Sequence, residues 1–351
     1  MNKPPYKVPS MQEIADLPWN GYNVVSTFSG CGGSCLGFKM AGFKVLWANE
    51  FIPAAQDTYR ANHKGTILDT RDIRKVQASE ILDAIGLSKG QLDVFEGSPP
   101  CASFSTAGKR EAGWGKVKKY SDSCQRTDDL FFEYARLLND LQPKVFIAEN
   151  VSGLVKGTAK GYFLLILKAL KDCGYNVAAK VLGAQWLGVP QARKRLIFIG
   201  VRNDLGINPV HPSPCSFQYT VRDAFMGLPD DGPSFEKYKL FQHWKECPPS
   251  GSHPRLINLK RLRWGAPANT ICQTWGNGTA AITHPDKPLY PSIAQLKRIG
   301  GFPDDFELRG TFGQQWERIG RAVPPVMACA IAKSIRDDIL NKLNDNQGIE
   351  R

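Results

Sequence analysis

The feature that most limits the fold of this chain is a recurring exchange of short apolar runs for helical patterns through its first half. Residues 22–28 (YNVVSTF), 43–48 (FKVLWA), 92–96 (LDVFE), 144–148 (KVFIA) and 195–201 (RLIFIGV) read as strands. Helical patterns lie between them near 33–41, 53–62, 128–141 and 161–173. Strand alternating with helix predicts an α/β fold whose mostly parallel sheet is covered on both faces. In such a sheet ligands bind beyond the carboxyl ends of the strands, so the residues just after each strand carry the functional information.

After Val201 the texture changes. Pro, Gly and Ser become frequent, helical periodicity fades, and no acidic residue occurs from Cys247 through Pro285. Arg255, Lys260, Arg261 and Arg263 accumulate there, which suggests a second, smaller, irregular and basic domain. Helical pattern returns in IAQLKRIGGF and in VPPVMACAIAKSIRDDILNKL. In the latter, Met327, Ile331, Ile335, Ile339 and Leu343 recur every four residues after a Pro-Pro start. Such a stripe is expected to dock on the first domain and close it as a discontinuous unit.

Composition narrows the setting. In 351 residues, 45 basic against 33 acidic side chains give +12, which favours a polyanionic partner. No apolar run approaches the roughly 20 residues that a bilayer requires, and the N-terminus lacks the apolar core of a secretory signal. A cytoplasmic protein with no membrane partner is therefore expected. The 9 cysteines are an odd number in a chain too large to depend on disulfides, so reduced thiols are expected. Only Cys31 and Cys35 lie close together, with no second ligand pair, and no metal site is expected.

The motifs follow the strands. The first strand runs into Phe28-Ser29-Gly30-Cys31-Gly32-Gly33, a turn that lets backbone approach a ligand at a helix start. Glu50 ends the second strand, placed to accept hydrogen bonds from ribose hydroxyls. Cys35 occupies the place of the third glycine in GxGxxG, which suits a cofactor without a pyrophosphate. By themselves these residues fit a dinucleotide almost as well as S-adenosylmethionine. The strand LDVFE leads into Gly97-Ser98-Pro99-Pro100-Cys101, whose two prolines aim the thiol of Cys101 in a defined direction. The strand KVFIA brings Glu149-Asn150-Val151 to the same edge, so a thiol and a carboxyl can form a nucleophile and acid/base pair. Gln191-Ala192-Arg193-Lys194-Arg195 adds two guanidinium groups.

The ordered set FSGCGG, NEF, RDI, GSPPCASFS, ENV, QARKR, GGFPDDF and IGRAVPP resembles the DNA cytosine-5 methyltransferases over nearly the whole chain. The resemblance implies a Rossmann-like S-adenosylmethionine-dependent methyltransferase sheet with a small irregular, mostly β target-recognition domain. Residues 1–203 and 311–351 would form the catalytic domain, 204–285 the recognition domain and 286–310 a hinge. It further implies that Cys101 adds to carbon 6 of a flipped cytosine in double-stranded DNA while Glu149 engages ring nitrogen 3 and the exocyclic amine. Arg195 would hold the cytosine carbonyl, Arg193 would position nearby backbone or phosphate, and Asn150 would orient the ENV turn. Phe28, Gly30, Gly32, Glu50, Phe51, Asp72 and Ile73 would hold the cofactor, with Pro100 and Leu130 lining the cleft. Arg321 and Val323 lie close to its methionine end.

The long, basic, Gly-containing segment 102–127 suits a lid over DNA, with Ser105 near the flipped nucleotide and Lys109 and Arg110 on phosphates. Arg255, Lys260, Arg261 and Arg263 are further expected phosphate contacts, which position a protein without specifying sequence. A monomer is the expected state, with a cognate restriction endonuclease as a possible companion.

Three positions depart from the family pattern: Ala102, Leu289 and Arg321, the last standing where Asn is usual. Arg321 either turns aside to a carboxylate or pairs with a carboxylated donor and permits carboxymethyl transfer. Other readings are a methyltransferase for cytosine in transfer RNA, a silent DNA-binding regulator and, more distantly, a dehydrogenase. Ile271-Cys272-Gln273-Thr274, which is not the Cys-Phe-Thr of the RNA branch, favours DNA. The presence of both Cys101 and Glu149 disfavours a silent regulator.

Overall fold

The computed structural model describes residues 3–100, 118–120, 123–125, 129–155, 159–248, 251–273, 275, 278 and 280–349. Cys101, Ser105, Lys109, Arg110 and most of the expected lid lie outside the described residues.

After a short capped helix α1 (Met11–Ala15), strand and helix alternate through β1 (Asn23–Thr27), α2 (Gly33–Met40), β2 (Lys44–Asn49), α3 (Pro53–Asn62), β3 (Ile67–Asp69), α4 (Ala78–Ile85) and β4 (Val94–Gly97). A short pair, β5 (Lys118–Tyr120) and β6 (Ser123–Gln125), precedes α5 (Leu130–Leu141), β7 (Val145–Val151), α6 (Lys160–Asp172), β8 (Tyr175–Gly183) and β9 (Lys194–Arg202). The main sheet is 7-stranded in the order β3-β2-β1-β4-β7-β9-β8. All pairings from β3 to β7 are parallel, and β9 is antiparallel to both β7 and β8. The chain order reverses between β1 and β4, the place where an open sheet leaves a crevice at its carboxyl edge.

Two apolar layers cover the sheet. On one face Val24, Val45, Val94, Val145 and Ile147 pack against Cys35 and Phe38 of α2 and Tyr59 of α3. On the other, Val25, Phe95, Phe146 and Phe198 meet Ile81 of α4, the α5 residues Phe131, Tyr134 and Leu138, and Ile166 of α6. Strand β8 was not read from the sequence because it is an edge strand. Its interior residues Val177 to Val181 are half-buried or exposed, so no apolar run marks it.

The C-terminal stripe docks as expected. Met327, Ile331, Ile335, Ile339 and Leu343 are all buried in the first layer, against α2 and the sheet. A strict spacing of four exceeds the 3.6 residues of an α-helical turn and would drift around the helix. Helix α11 (Pro325–Ile335) passes instead through a π-helical turn, Arg336–Leu340, before α12 (Asn341–Ile349), and the wider turn keeps the stripe inward.

The second region is irregular, as its composition suggests, but its β content is small. Its described residues hold α7 (Val221–Phe225), α8 (Leu240–Glu246) and a two-residue parallel pair, β10 (Lys260–Arg261) with β11 (Ile282–Thr283), followed by α9 (Ile293–Gly300) and α10 (Phe312–Arg321). The expectation of a mostly β domain is corrected on this point, because side chains take over the work of a ladder. His253 Nδ1 accepts from the N–H groups of Arg255 and Leu256, and His284 Nδ1 accepts from those of Asp286 and Lys287. Each ring then meets a carboxylate through Nε2, Glu246 at 3.1 Å and Asp230 at 3.0 Å respectively.

A third apolar cluster spans the two regions. It joins Ile14, Cys31 and Leu36 from the N-terminal part to Val221, Phe235, Leu259 and Ile271, and to Phe302, Phe306 and Trp316. The N-terminal segment is a strap across this cluster. Lys3 pairs with Asp223, Tyr6 Oη donates to the Arg298 carbonyl, and Met11 N donates to Asp305. Among the described residues no helix is long and apolar enough to cross a membrane. Cys31, Cys35, Cys173, Cys215, Cys247, Cys272 and Cys329 are free thiols.

Candidate active site

The Gly-rich turn leaves β1 with left-handed backbone at Phe28 (φ 54°), Gly30 (φ 58°) and Gly32 (φ 88°). Such backbone is natural for glycine and costly for phenylalanine, and non-glycine strain of this kind clusters at ligand sites. Gly30 has open space where a Cβ would stand, whereas at Gly32 a Cβ would fall 2.0 Å from His63 Nε2. Gly33 is pressed against the Val323 carbonyl, 2.4 Å from its would-be Cβ, which brings the IGRAVPP segment against the turn. Glu50 closes the loop: its Oε2 accepts from Gly30 N at 2.7 Å and its Oε1 from Ile52 N at 2.6 Å. Burial pushes its carboxyl up, opposed by these two N–H groups and by Arg318 and Arg321. Each carboxylate oxygen accepts more than one donor, so Glu50 keeps capacity for a diol. A buried carboxylate with spare acceptors beside an open glycine fits the ribose of a nucleoside cofactor.

The other expected cofactor residues divide. Phe51 is half-buried after Glu50, and Pro100 is half-buried after the buried Pro99. Val323 is buried beside the turn. Asp72 caps a short 3-10 turn and pairs with Arg74, which reaches on to Asp129. Ile73 and Leu130 are core residues, 3% and 2% exposed, in the layer between the sheet and α4–α5. Arg321 Nε lies 2.6 Å from Glu317 Oε1 one helical turn away, so the guanidinium turns aside to a carboxylate.

At the neighbouring strand ends, β4 and β7 are fastened together. Asn150 Nδ2 donates to the Pro99 carbonyl at 3.3 Å, and Asn150 Oδ1 accepts from Val151 N at 2.8 Å. The Pro-Pro loop that leads to Cys101 is thus held by the ENV turn itself. Glu149 projects from β7 and meets Arg195 of β9, with Nε 2.6 Å from Oε1 and both side chains 15% exposed. Antiparallel pairing sets Val151 opposite Arg195, which explains why the two motifs meet at this edge.

The two arginines of QARKR have separate tasks. Arg193 is 1% exposed and sends its Nη groups to the carbonyls of Ile271 and Arg321, so it touches both the second region and the end of α10. Burial, and then the neighbouring Arg195, work against its charge. Gln191, which the sequence reading passed over, belongs to the same stitch. Its Oε1 accepts from Ile271 N and its Nε2 donates to the Ile299 carbonyl. Alternation was the available signal: residues 191 and 193 face the second region, while residue 195 has entered the sheet.

The expected phosphate contacts in the second region also divide. Arg255 and Arg263 are exposed and Lys260 is half-buried. Arg261 is turned inward. Its Nε and Nη2 donate to the Pro285 carbonyl, its Nη1 to that of Cys247, and it lies 4.2 Å above the Trp244 ring. Its planar fork is engaged by the domain itself.

A twisted, mostly parallel sheet with a nucleoside-type turn after β1 and an acid–guanidinium pair at its carboxyl edge defines the class: a Rossmann-like methyltransferase. The family follows from comparison. Residues 22–246 and 230–337 match the family described as C-5 cytosine-specific DNA methylase. The chain is 33% identical over 347 residues to the Type II methyltransferase M.MthTI of Methanothermobacter thermautotrophicus, covering 92% of this chain and 99% of that one. It is 32% identical over 354 residues to M.PspPI of Psychrobacter, covering 92% and 81%. The solved structure of a Spodoptera frugiperda DNMT2 variant superposes with a TM-score of 0.66 at 18% identity, covering 92% of this chain and 100% of that one, and attests the fold. The chain belongs to the C-5 cytosine-specific DNA methylases and is a DNA cytosine-5 methyltransferase. Membership of this family implies S-adenosylmethionine as methyl donor.

Proposed function

We propose that the protein transfers a methyl group to carbon 5 of a cytosine flipped out of double-stranded DNA, at a specific sequence, through a covalent bond to Cys101. The observation that carries this reading is the Glu149–Arg195 pair at the strand edge where Asn150 holds the Pro-Pro loop. Carbon 5 is a poor nucleophile in the aromatic ring. Addition of the Cys101 thiolate to carbon 6, with Glu149 delivering a proton to nitrogen 3, turns the ring into an enamine whose electrons reach carbon 5. Arg195 holds Glu149 and would engage the cytosine carbonyl oxygen. S-adenosylmethionine, when bound, supplies the methyl group as an electrophile. Loss of the carbon 5 proton to a base, with return of the nitrogen 3 proton to Glu149, then expels the thiolate and restores the neutral aromatic ring. Swinging the base out costs a few kcal/mol, which basic loop residues such as Lys109 and Arg110 would offset through phosphate contacts.

Phe28, Gly30, Gly32, Glu50, Phe51 and Val323 are the residues we assign to the cofactor, and Arg193 is a positioning residue between the regions. The enzyme acts as a monomer; relatives named Type II methyltransferases support a restriction–modification setting, in which a cognate endonuclease is a possible companion. The turn of Arg321 toward Glu317 supports ordinary methyl transfer over carboxymethyl transfer.

Bisulfite sequencing of DNA from cells that express the protein or Cys101→Ser tests this reading. Sequence-specific marks absent from the variant are expected. A 5-fluorocytosine oligonucleotide should be trapped through residue 101 when the methyl donor is present, and absence of that adduct overturns the mechanism.

A further inference from the structure

Beneath the Gly-rich turn lies a carboxyl that no step above uses. Glu96 precedes Gly97 on β4 and is paired with Ser26 of β1 on one side and Ile147 of β7 on the other. It shares the sheet face of Val94, under α2, and is 3% exposed. Ser26 Oγ donates to Glu96 Oε1 at 2.7 Å, and the same Oγ lies 2.7 Å from Ser29 Oγ inside the turn. The chain of hydroxyls has two senses. With Glu96 ionised, Ser29 donates to Ser26 and Ser26 to the carboxylate. With Glu96 protonated, the acid can donate and the order runs the other way.

The groups around Glu96 do not neutralise it. Glu149, on the same face of β7 two positions beyond Ile147, adds a like charge. Cys35 of α2, Tyr59 of α3 and, through the sheet, Tyr134 of α5 feel its charge, and Lys39 of α2 acts on Cys35. Burial foremost, and then Glu149, push the carboxyl up to about 7 against hydrogen bonds from Ser26 and Ser34. A buried acid of this kind responds to any charge brought near it.

We propose that Glu96 lets the site distinguish the methyl donor from the demethylated product by charge. The sulfonium of S-adenosylmethionine draws Glu96 into its carboxylate form, and the proton leaves to solvent. Neutral S-adenosylhomocysteine lets Glu96 keep its proton, so Glu96 shifts the balance of the two affinities toward the donor. This inference rests on the assignment of the 28–33 turn to the cofactor.

Calorimetric titration of the full-length protein near pH 7, in buffers of different ionisation enthalpy, reads the proton directly. S-adenosylmethionine should release more protons than S-adenosylhomocysteine, by a fraction on the order of half. The ratio of the two affinities should rise with pH through about 7. Taking the ratio cancels Glu50, whose ribose partner both ligands share. Glu96→Gln keeps the size of the side chain and an acceptor for Ser26. It should abolish the difference in release, flatten the ratio and reduce it about five- to tenfold, chiefly by weakening the donor. A merely structural role would weaken both ligands alike and leave the ratio unchanged, which overturns the proposal. If the variant does not fold, the wild-type titration decides, since equal proton release with both ligands overturns it too. Binding of neither ligand overturns the cofactor assignment itself, and this inference with it.

Discussion

The sheet region and the second region hold themselves together by different physics. In the sheet region, regular backbone pairing satisfies the main chain and large apolar side chains fill both faces. In the second region, the described backbone forms one two-residue pair of strands besides isolated bridges and scattered loop bonds around an apolar cluster, and polar side chains such as His253 and Arg261 tie further loops. A regular ladder tolerates exchange of one apolar residue for another at modest cost. A loop held by one imidazole or one guanidinium depends on that group.

The contrast is open to tests of decreasing severity. Ile331→Ala, under the C-terminal stripe, should lower global stability by about 2–5 kcal/mol in chemical denaturation, with one cooperative transition. A separate early transition would show that α11 is not integral to the sheet region. Arg261→Ala removes three main-chain hydrogen bonds and a ring contact. It should cost about 1–3 kcal/mol, confined to the second region in hydrogen exchange, with S-adenosylmethionine affinity unchanged. Weakened DNA binding with no change in exchange would instead show that Arg261 contacts phosphate.

Gln191→Ala cuts two bonds between the regions and should cost about 1 kcal/mol. Its diagnostic is a fall in methylation rate larger than that small loss of stability explains. The smallest effect concerns pH. His63 is buried, stacked on Tyr59 at 4.3 Å, and burial holds its imidazole well below the usual histidine value. The unfolded chain takes up that proton more readily than the native protein. Stability is therefore complete above about pH 6.5 and declines as pH falls below it. His63→Phe should flatten the decline below that pH in thermal melts, and an unchanged slope would assign the acid sensitivity elsewhere.

The regularity of the sheet region is also why it was legible. The positions of β1, β2, β4, β7 and β9, both covering layers and the stripe from Met327 to Leu343 follow from apolar periodicity, which reports burial directly. Strand β8 escaped because an edge strand need not be apolar, and the three-residue β3 is too short to show alternation; α4 also lies outside the patterns read from the sequence. In the second region the same reading placed Arg261 on DNA. Composition counts a positive charge but does not say whether its donors face phosphate or the carbonyl of Pro285.

The sequence by itself determined the alternation of five of the sheet's strands with their helices and the family, along with the strand ends that carry Glu50, Glu149 and Arg195. Each of these is a local pattern or a short motif written in consecutive residues. Only the tertiary structure decided which charged groups are partnered and by whom. It paired Glu149 with Arg195 and gave Arg193 to Ile271 and Arg321. It set Glu96 beneath the turn and drew Arg261 inward. Those outcomes depend on residues far apart in the chain being packed to within hydrogen-bond distance, and strand register and loop closure supply that proximity only after folding.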